Sequence, residues 1–228
     1  MLGTVVNFTA ILAGGILGLL LKGGIPKKII DTIMHAMALC VIYIGISGTL
    51  KSNHMLLIVI SLAIGSLLGE VMDIDHKLVS LGDFLESKFK KSSEDNLISQ
   101  GFVTSSLLFC VGAMAVVGSL EGGLSGKHDI LFTKSVIDGV TSIILSSTLG
   151  IGVLFSSVSV FIYQGIIVIC SGSLQGILTT AIVTEMSAVG SLLILGLGLN
   201  MLKITNIKVA NMLPGIIIPV IYGLIFKL

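Results

Sequence analysis

The stretch of sequence that decides the fold is residues 139–184, GVTSIILSSTLGIGVLFSSVSVFIYQGIIVICSGSLQGILTTAIVT. It contains no charged residue, and the wider interval 135–202 contains only Asp138 and Glu185. A helix that crosses a lipid bilayer needs about 20 largely apolar residues, so this stretch is long enough for more than one such helix. The sequence therefore predicts an all-α, polytopic integral membrane helix bundle.

Composition extends this prediction to the whole chain, residues 1–228, which is expected to form a single membrane domain. Hydrophobic residues make up 54% of the chain and charged residues 11%, whereas a soluble domain carries about 25% charged residues. The net charge is +1, and the chain contains neither Arg nor Trp. It therefore lacks the basic, aromatic-rich surface that nucleic-acid binding requires, and its expected surroundings are a lipid bilayer.

The charged residues are concentrated in the interval 73–95. Ten of the 13 basic and 12 acidic residues lie there, and apolar residues recur among them at helical spacing. Such a pattern is typical of an amphipathic helix that lies along a membrane surface. We predict a cytoplasmic amphipathic helix over 73–95.

The remaining apolar intervals predict seven spanning helices, with an eighth left open. They are Thr4–Leu21, Ala36–Leu50, Met55–Met72, Gly101–Leu120, Val136–Ser156, Met186–Leu202 and Val209–Phe226. The interval 158–184 is uncharged but interrupted by glycine and serine, so it is an extra helix, a surface helix or a re-entrant hairpin. Cytoplasmic loops are enriched in Lys; this bias places the N-terminus outside and mildly favours eight spans.

Two parts of the chain resemble each other and predict an internal repeat of residues 1–50 and 55–120. Residues 40–50, CVIYIGISGTL, share Cys, Val, Gly and Leu in register with residues 110–120, CVGAMAVVGSL. Repeated units in membrane proteins often build a pathway where they meet. The spans are also rich in glycine, which lets helices approach closely in lipid.

Polar side chains inside the spans are the candidate binding residues, because ionisable groups are costly in a bilayer and usually face an interior or a pathway. Glu185 either caps a helix at the interface or lies at depth. Asp138 either pairs with Lys134 at the surface or converges with Glu121 at the mouth of a pore. The amides either join neighbouring helices or contact a solute. The full set is Glu121, Asp138, Glu185, Asn200, Asn211 and Asn7.

Motifs of enzymes and metal sites are absent from the sequence. It has no nucleophile elbow, phosphate loop or dinucleotide fingerprint, and its four histidines lack a metal-binding spacing. The cysteines Cys40, Cys110 and Cys170 are far apart in apolar runs, which favours small core residues over a disulfide framework or a zinc site. We therefore expect no catalysis, no cofactor and no metal.

Several runs resemble the YqgA/YdfK-like family of bacterial inner-membrane proteins, a domain of unknown function. They are residues 112–124, GAMAVVGSLEGGL, with 133–139 and 147–155, and, near the end, 185–190, 199–200 and 209–214, together with the opening Gly3-Thr-x-x-Asn7. The resemblance covers nearly the whole chain. It implies a location in the bacterial cytoplasmic membrane and leaves the substrate open.

The sequence thus predicts a transporter or channel for a small solute or an ion, with the six candidate residues along its path. Small-residue faces also predict a homo-oligomer. The alternative is a non-transporting membrane scaffold or regulatory subunit. Transport would place at least two of Glu121, Asp138 and Glu185 around one cavity, whereas a scaffold would leave all three at the water interface.

Overall fold

The fold was obtained as a computed structural model that describes residues 1–22, 27–77, 80 and 97–226. This part of the chain consists of helices and short connections and contains no strand. The helices are α1 (Leu2–Lys22), α2 (Lys27–Thr49), α3 (Met55–Met72), α4 (Leu97–Cys110), α5 (Ala113–Leu124), α6 (Asp129–Leu149), α7 (Gly152–Ile169), α8 (Ser171–Leu174), α9 (Thr180–Met201), a 3-10 helix (Val209–Ile217) and α10 (Ile218–Phe226). The all-α membrane fold predicted from the sequence is confirmed.

The helices of the described part provide seven crossings of a bilayer by length and composition, and eight when a bent pair of helices is counted as one span. Seven are long and apolar enough by themselves, the last one combining the 3-10 helix with α10. The eighth is the pair α4 and α5, which is bent by 58° at a break around Gly112. Leucine, isoleucine and valine side chains cover the outer surface; Val71, for example, is 82% exposed. Such a surface suits lipid and not water.

Eight crossings place the connections alternately on two sides. One side, the N-terminal side, carries residue 1 and the connections 50–54, 125–128 and 170–179. The other carries the connections after α1, α3, α6 and α9. Counted along the sequence, nine of the 13 lysines lie in or next to those four connections. We call it the lysine side.

The span predicted over Val136–Ser156 differs from the observed helices. The prediction of one span over Val136–Ser156 is wrong, because α6 ends at Leu149 and α7 begins at Gly152. Gly150, with φ of +81°, adopts a left-handed conformation that other residues rarely tolerate. The chain therefore turns back inside an interval without charged residues, where Ser146, Ser147, Thr148 and the two glycines Gly150 and Gly152 are the signal of the turn.

The interval 158–184 is divided between three elements. It contains the second half of α7, the short helix α8 and the start of α9. The interrupted helix at membrane depth lies elsewhere, within the span predicted over Gly101–Leu120. Most of the surface helix predicted over 73–95 falls outside the described residues.

Glycines set the closest helix contacts. A methyl group on Gly14 of α1 would overlap the carbonyl oxygen of Gly139 in α6, and one on Gly65 of α3 would overlap the backbone of Gly215 in the 3-10 helix. A methyl group on Gly45 of α2 would collide with the backbone of Leu195 in α9. Each of these three pairs therefore packs backbone against backbone, as small residues permit in lipid.

The main helix pairs form an inverted arrangement. α1 packs parallel to α6, and the broken span α4–α5 packs parallel to α7; α2 with α9, α3 with the 3-10 helix, and α1 with α7 are antiparallel. These five pairs stay the same when helices exchange places. The exchanges are α1 with α7, α2 with α9, α3 with the last span, and α4–α5 with α6. Each exchange joins spans that cross in opposite directions, as in an inverted repeat.

The two similar segments predicted to mark a repeat lie in different surroundings. Residues 40–50 belong largely to the unbroken helix α2, which packs against α9. Residues 110–120 run across the break between α4 and α5, which pack against α7. The sequence similarity of these segments has no counterpart in the packing of the described helices.

Candidate functional site

Asp138 lies near the middle of α6 in a buried cluster of polar groups. Lys134, one turn earlier, places its Nζ 3.0 Å from Oδ1 and 2.9 Å from Oδ2 of Asp138. The two side chains are only 10% and 6% exposed. The pair predicted from their spacing forms, but in the interior and not at the surface, where an unpaired charge would be far more costly.

Asn7 of α1 completes this cluster. Its Nδ2 donates to Oδ2 of Asp138 at 3.1 Å, and the residue is fully buried. The amide oxygen of Asn7 has no partner in the described part of the chain. The asparagine therefore joins two helices, as predicted for an amide in lipid, and keeps one unused acceptor beside an ion pair.

The break between α4 and α5 exposes backbone polar groups at membrane depth. The N–H of Val111 donates to the carbonyl of Leu107, and that of Ala115 donates to the carbonyl of Gly112. Other carbonyls at the end of α4 and amides at the start of α5 have no intrahelical partner, as at any helix end. Such backbone is tolerated in a membrane where it is buried in protein or lines a cavity.

A small cavity does lie at this break. It has a volume of about 190 Å³ and is lined by Leu107, Cys110, Val111, Gly112, Val116, Tyr163, Met186, Ser187, Leu213 and Ile216. Neither Lys134 nor Asp138 of the buried ion pair lines this cavity.

A larger and more polar cavity opens near the lysine side. Its volume is about 560 Å³, and its lining is Asp75, Ser99, Gln100, Val103, Thr104, Leu197, Asn200, Lys203, Asn206, Ile207, Lys208, Val209 and Ala210. Pockets for small molecules have volumes of roughly 300–1,000 Å³. The cavity is therefore large enough for a solute of several heavy atoms.

The two cavities follow one another along the same helices. α4 contributes Val103 to the larger cavity and Leu107 to the smaller one. The 3-10 helix likewise contributes Val209 and then Leu213. A hydrophobic cluster that includes Leu107, Leu193, Leu197 and Val209 lies where these helices meet. A packed hydrophobic cluster therefore lies between the polar cavity near the lysine side and the cavity at the broken helix.

Asn200 and Asn211 hold the structure around the larger cavity. Asn200 Nδ2 donates to the carbonyl of Ile207 at 2.8 Å, and its Oδ1 accepts from the N–H of Ile207 at 2.9 Å. Asn211 Nδ2 donates to Glu70 at 2.6 Å and Oδ1 accepts from the N–H of Asp75 at 2.6 Å. Both amides therefore fix connections, and only Asn200 lines the cavity.

Glu70 is a residue that the sequence analysis did not single out. Its carboxylate binds Lys208 Nζ at 2.8 Å as well as Asn211. This hydrogen bond raises the pKa of Lys208 above its ordinary value, so the ammonium stays charged and paired. Glu70 lies at the end of an apolar span. Its partner Asn211 is 141 residues away, so no pattern near Glu70 in the sequence predicts this contact.

Glu185 lies apart from these groups, on the N-terminal side. It is 3% exposed and accepts hydrogen bonds from the Ser52 hydroxyl and from the N–H of Asn53 at 3.3 Å. The N-cap of α9 is Thr179 and not Glu185. Glu185 therefore holds the connection between α2 and α3 against α9, and no basic side chain of the described residues pairs with it.

Glu121 is half-buried near the end of α5, and its carboxylate has no hydrogen-bond partner among the described residues. No contact in this part of the structure joins it to Asp138 or Glu185. Neither cavity is lined by any of these three carboxylates, so the expectation that at least two of them surround one cavity is wrong. The opposite expectation, that all three lie at the water interface, is wrong as well, because Asp138 and Glu185 are buried. The candidate residues thus divide into the Asn7–Asp138 cluster, the asparagines near the lysine side, and two separate glutamates.

Further polar groups are buried without partners towards the N-terminal side. They include both amide atoms of Gln164, which is fully buried, and the hydroxyls of Thr4 and Ser119. A buried polar atom usually has a protein or water partner. The described residues contain no group of three His, Cys, Asp or Glu side chains that could hold a metal ion.

Seven helices of the described residues that are long and apolar enough to cross a bilayer define the chain as a polytopic α-helical membrane protein. It belongs to the family described as "Protein of unknown function (DUF554)", which matches residues 2–224. It is 34% identical over 223 residues to the uncharacterized membrane protein YdfK of Bacillus subtilis (strain 168), covering 96% of this chain and 94% of the relative. It is 28% identical over 221 residues to the uncharacterized protein YqgA of Escherichia coli (strain K12), covering 95% and 94%. The family resemblance is confirmed, and no solved structure matches the chain.

Proposed function

We propose that this protein is a transporter for a small solute or an ion, and not an enzyme, in the bacterial cytoplasmic membrane. The path runs between α4, α9 and the 3-10 helix. The observation that carries this assignment is the succession of two cavities along these helices, of which the inner one lies at the broken span. A scaffold needs no interrupted helix at membrane depth.

The broken helix supports the assignment for a physical reason. A helix interrupted inside the membrane presents the partial positive charge of one end and the partial negative charge of the other. Discontinuous helices of this kind form the solute and ion sites of many secondary transporters, near the middle of the membrane. The amides at the start of α5 and the carbonyls at the end of α4 are the groups available for such a site.

The inverted helix arrangement supports alternating access. If α1, α2, α3 and the span α4–α5 exchange roles with α7, α9, the last span and α6, the five pairs named above are made again from the opposite side of the membrane, whereas the contact of α9 with the last span has no comparable counterpart between α2 and α3 among the described residues. Transporters with inverted repeats switch between inward-open and outward-open states in this way. In the state described, the larger cavity lies towards the lysine side, which positive-inside counting assigns to the cytoplasm.

The ion pair of Asp138 and Lys134 is assigned a supporting role for the inner site. The pair belongs to α6 and does not line the inner cavity, so it would act on a solute there only through its charges. The unused Asn7 oxygen adds polarity to the same buried cluster. Loss of either charge is expected to change transport through the electrostatics of the inner cavity.

The test is solute uptake into liposomes and charge movement on solid-supported membranes, using a panel of inorganic ions, carboxylates, amino acids and polyamines. Leu107→Trp adds bulk between the two cavities, because Leu107 is 7% exposed within the hydrophobic cluster that separates them. Leu67→Trp is the matched control, because Leu67 is 68% exposed towards lipid.

The expected result is saturable uptake of at least one panel member, lost in Leu107→Trp and retained in Leu67→Trp. Equal uptake by both variants would place the path elsewhere. If a folded protein moves no member of the panel, the transport assignment fails and the scaffold alternative is favoured.

We also propose that the protein forms a homo-oligomer, as its glycine-rich spans predict; the glycines Gly14, Gly45 and Gly65 are used in contacts within the chain, so the interface would form through the exposed aliphatic side chains. Native mass spectrometry from lipid nanodiscs measures the state directly. A single monomeric species over a range of protein concentrations would contradict this assignment.

A further inference from the structure

Lys203 occupies a position at the end of α9 that normally takes glycine. Its φ is +58°, in the left-handed region that few residues other than Gly adopt. The N–H of Lys203 donates to the carbonyl of Asn200 at 2.9 Å, and the N–H of Ile204 to that of Leu199 at 3.2 Å. These two bonds form a Schellman motif, in which Gly is the usual residue at this site.

Lysine is unfavourable in this backbone conformation, so the geometry of the helix end does not explain why a lysine stands here. Residues held in sparsely populated conformations concentrate at functional sites. Lys203 is exposed and lines the larger cavity. The strained position therefore puts an ammonium group at a polar cavity, where a glycine would have satisfied the helix end at no cost.

The charge of Lys203 is available, unlike that of its neighbour. Lys208 also lines the cavity, but its Nζ binds Glu70 at 2.8 Å. Among the described residues, no acceptor binds Nζ of Lys203. Asp75 is the acidic side chain of the lining, so with Lys208 paired to Glu70 the cavity presents one unpaired ammonium group, that of Lys203, and one carboxylate.

Neutral polar groups surround Lys203. The amides of Gln100 and Asn206 and the hydroxyls of Ser99 and Thr104 line the same cavity. Within the described ranges these four side chains have no hydrogen-bond partner. A solute in this cavity would therefore meet a free cation together with several unused donors, which is the set of groups that binds a carboxylate or a phosphate.

We propose that the cavity between α4, α9 and the 202–208 connection binds a small organic anion, whose carboxylate or phosphate group pairs with Lys203. Naming this anion as the solute carried rests on the proposed function. Binding at the cavity is a separate property and can be measured without transport.

The experiment measures the unfolding temperature of the detergent-purified protein with succinate, glutamate, a sugar phosphate or inorganic phosphate. Succinamide and putrescine serve as neutral and cationic probes of similar size, and sodium chloride controls for ionic strength. A ligand that binds the folded state raises the unfolding temperature in a saturable way. We expect at least one organic anion to do so, and the neutral and cationic probes not to.

Two variants at Lys203 separate binding from folding. Lys203→Gln and Lys203→Gly each remove the ammonium, and each is expected to weaken anion binding by about tenfold or more, since a charge-assisted hydrogen bond is lost. Lys203→Gly also relieves the backbone, so its unfolding temperature without ligand should not fall. Lys127→Gln, which removes an exposed lysine on the N-terminal side, should bind like the unmodified protein.

Anion binding that is unchanged in both Lys203 variants would overturn the proposal, as would stabilisation by inorganic phosphate alone, by sodium chloride alone or by none of the anions. Liposome uptake keeps the two proposals apart. Anion binding that depends on Lys203 without uptake of that anion would leave this site standing and remove the transport assignment. Uptake of a cation without anion binding would leave the transport assignment standing and remove this site.

Discussion

Removing one partner of the buried pair Lys134 and Asp138 should destabilise the protein strongly, whereas removing both should not. The variants are Asp138→Asn, Lys134→Met, and Lys134→Met combined with Asp138→Leu. In the structure each oxygen of the carboxylate lies 2.9 or 3.0 Å from the ammonium nitrogen, and both side chains are at most 10% exposed. Water therefore cannot replace a lost partner.

The expected magnitudes follow from this burial. An unpaired charge left in an interior costs about 3–5 kcal/mol, whereas replacing a whole buried pair by apolar groups of similar size is often neutral or even stabilising. We therefore expect a loss of about 3–5 kcal/mol in the free energy of unfolding for each single variant and at most about 1 kcal/mol for the double variant. Asn7→Ala removes one interhelical hydrogen bond and should cost about 0.6–1.7 kcal/mol.

The assay is equilibrium unfolding in mixed micelles, with free energies taken from the linear dependence on denaturant. Lys127→Met is the control: the side chain is exposed, so its loss should change the free energy by no more than about 0.5 kcal/mol. Single variants that cost less than about 1 kcal/mol, or a double variant that costs as much as the two singles together, would refute the reasoning. The charges would then be hydrated and independent of each other.

Three further results are expected. Gly14→Ala should lower the unfolding temperature, because the new methyl group overlaps the carbonyl of Gly139. Gly172 has open space around it, so Gly172→Ala should leave the unfolding temperature unchanged. Equal shifts in the two variants would contradict the close contact of α1 and α6. Lys203→Gly should raise the free energy of unfolding by about 1 kcal/mol, since it removes a left-handed non-glycine residue; a loss of stability in the same unfolding assay would contradict this. Cys170, exposed in the connection after α7, should react with a membrane-impermeant maleimide in intact cells when the other cysteines are replaced; labelling only after lysis would reverse the orientation.

The membrane class and most helices could be predicted from the sequence, because apolar length is a local property. The turn at Gly150 was not predicted, because the interval around it lacks charged residues and reads as one span by apolar length, although Ser147, Thr148 and Gly152 stand beside it. The break at Gly112 was not predicted either, because the neighbouring residues Val111 and Ala113 are apolar. Its φ of +147° requires glycine, but a chain with 28 glycines gives no sign of which ones interrupt a helix.

The candidate site was predictable only where its contacts are local. The spacing of Lys134 and Asp138 indicates a pair on one turn of helix, whereas the burial of that pair depends on α1, whose Asn7 is 131 residues away. The contact between Glu70 and Asn211 likewise depends on the packing of α3 against the 3-10 helix. The left-handed conformation of Lys203 follows from the way α9 ends, which the run of apolar residues before it does not reveal.

The pairing of early helices with late ones has a consequence for biosynthesis. Asn7 meets Asp138 only after 131 further residues have been made, and Glu70 meets Asn211 only after 141. At a translation rate of about 5–20 residues per second, these intervals last about 7–30 s. During that time the glycine-bearing faces of α1, α2 and α3 stand in the bilayer without their final partners. The nascent chain is then most accessible to insertion factors and membrane proteases, and a chain that stops before α9 would leave α2 and α3 in that exposed state.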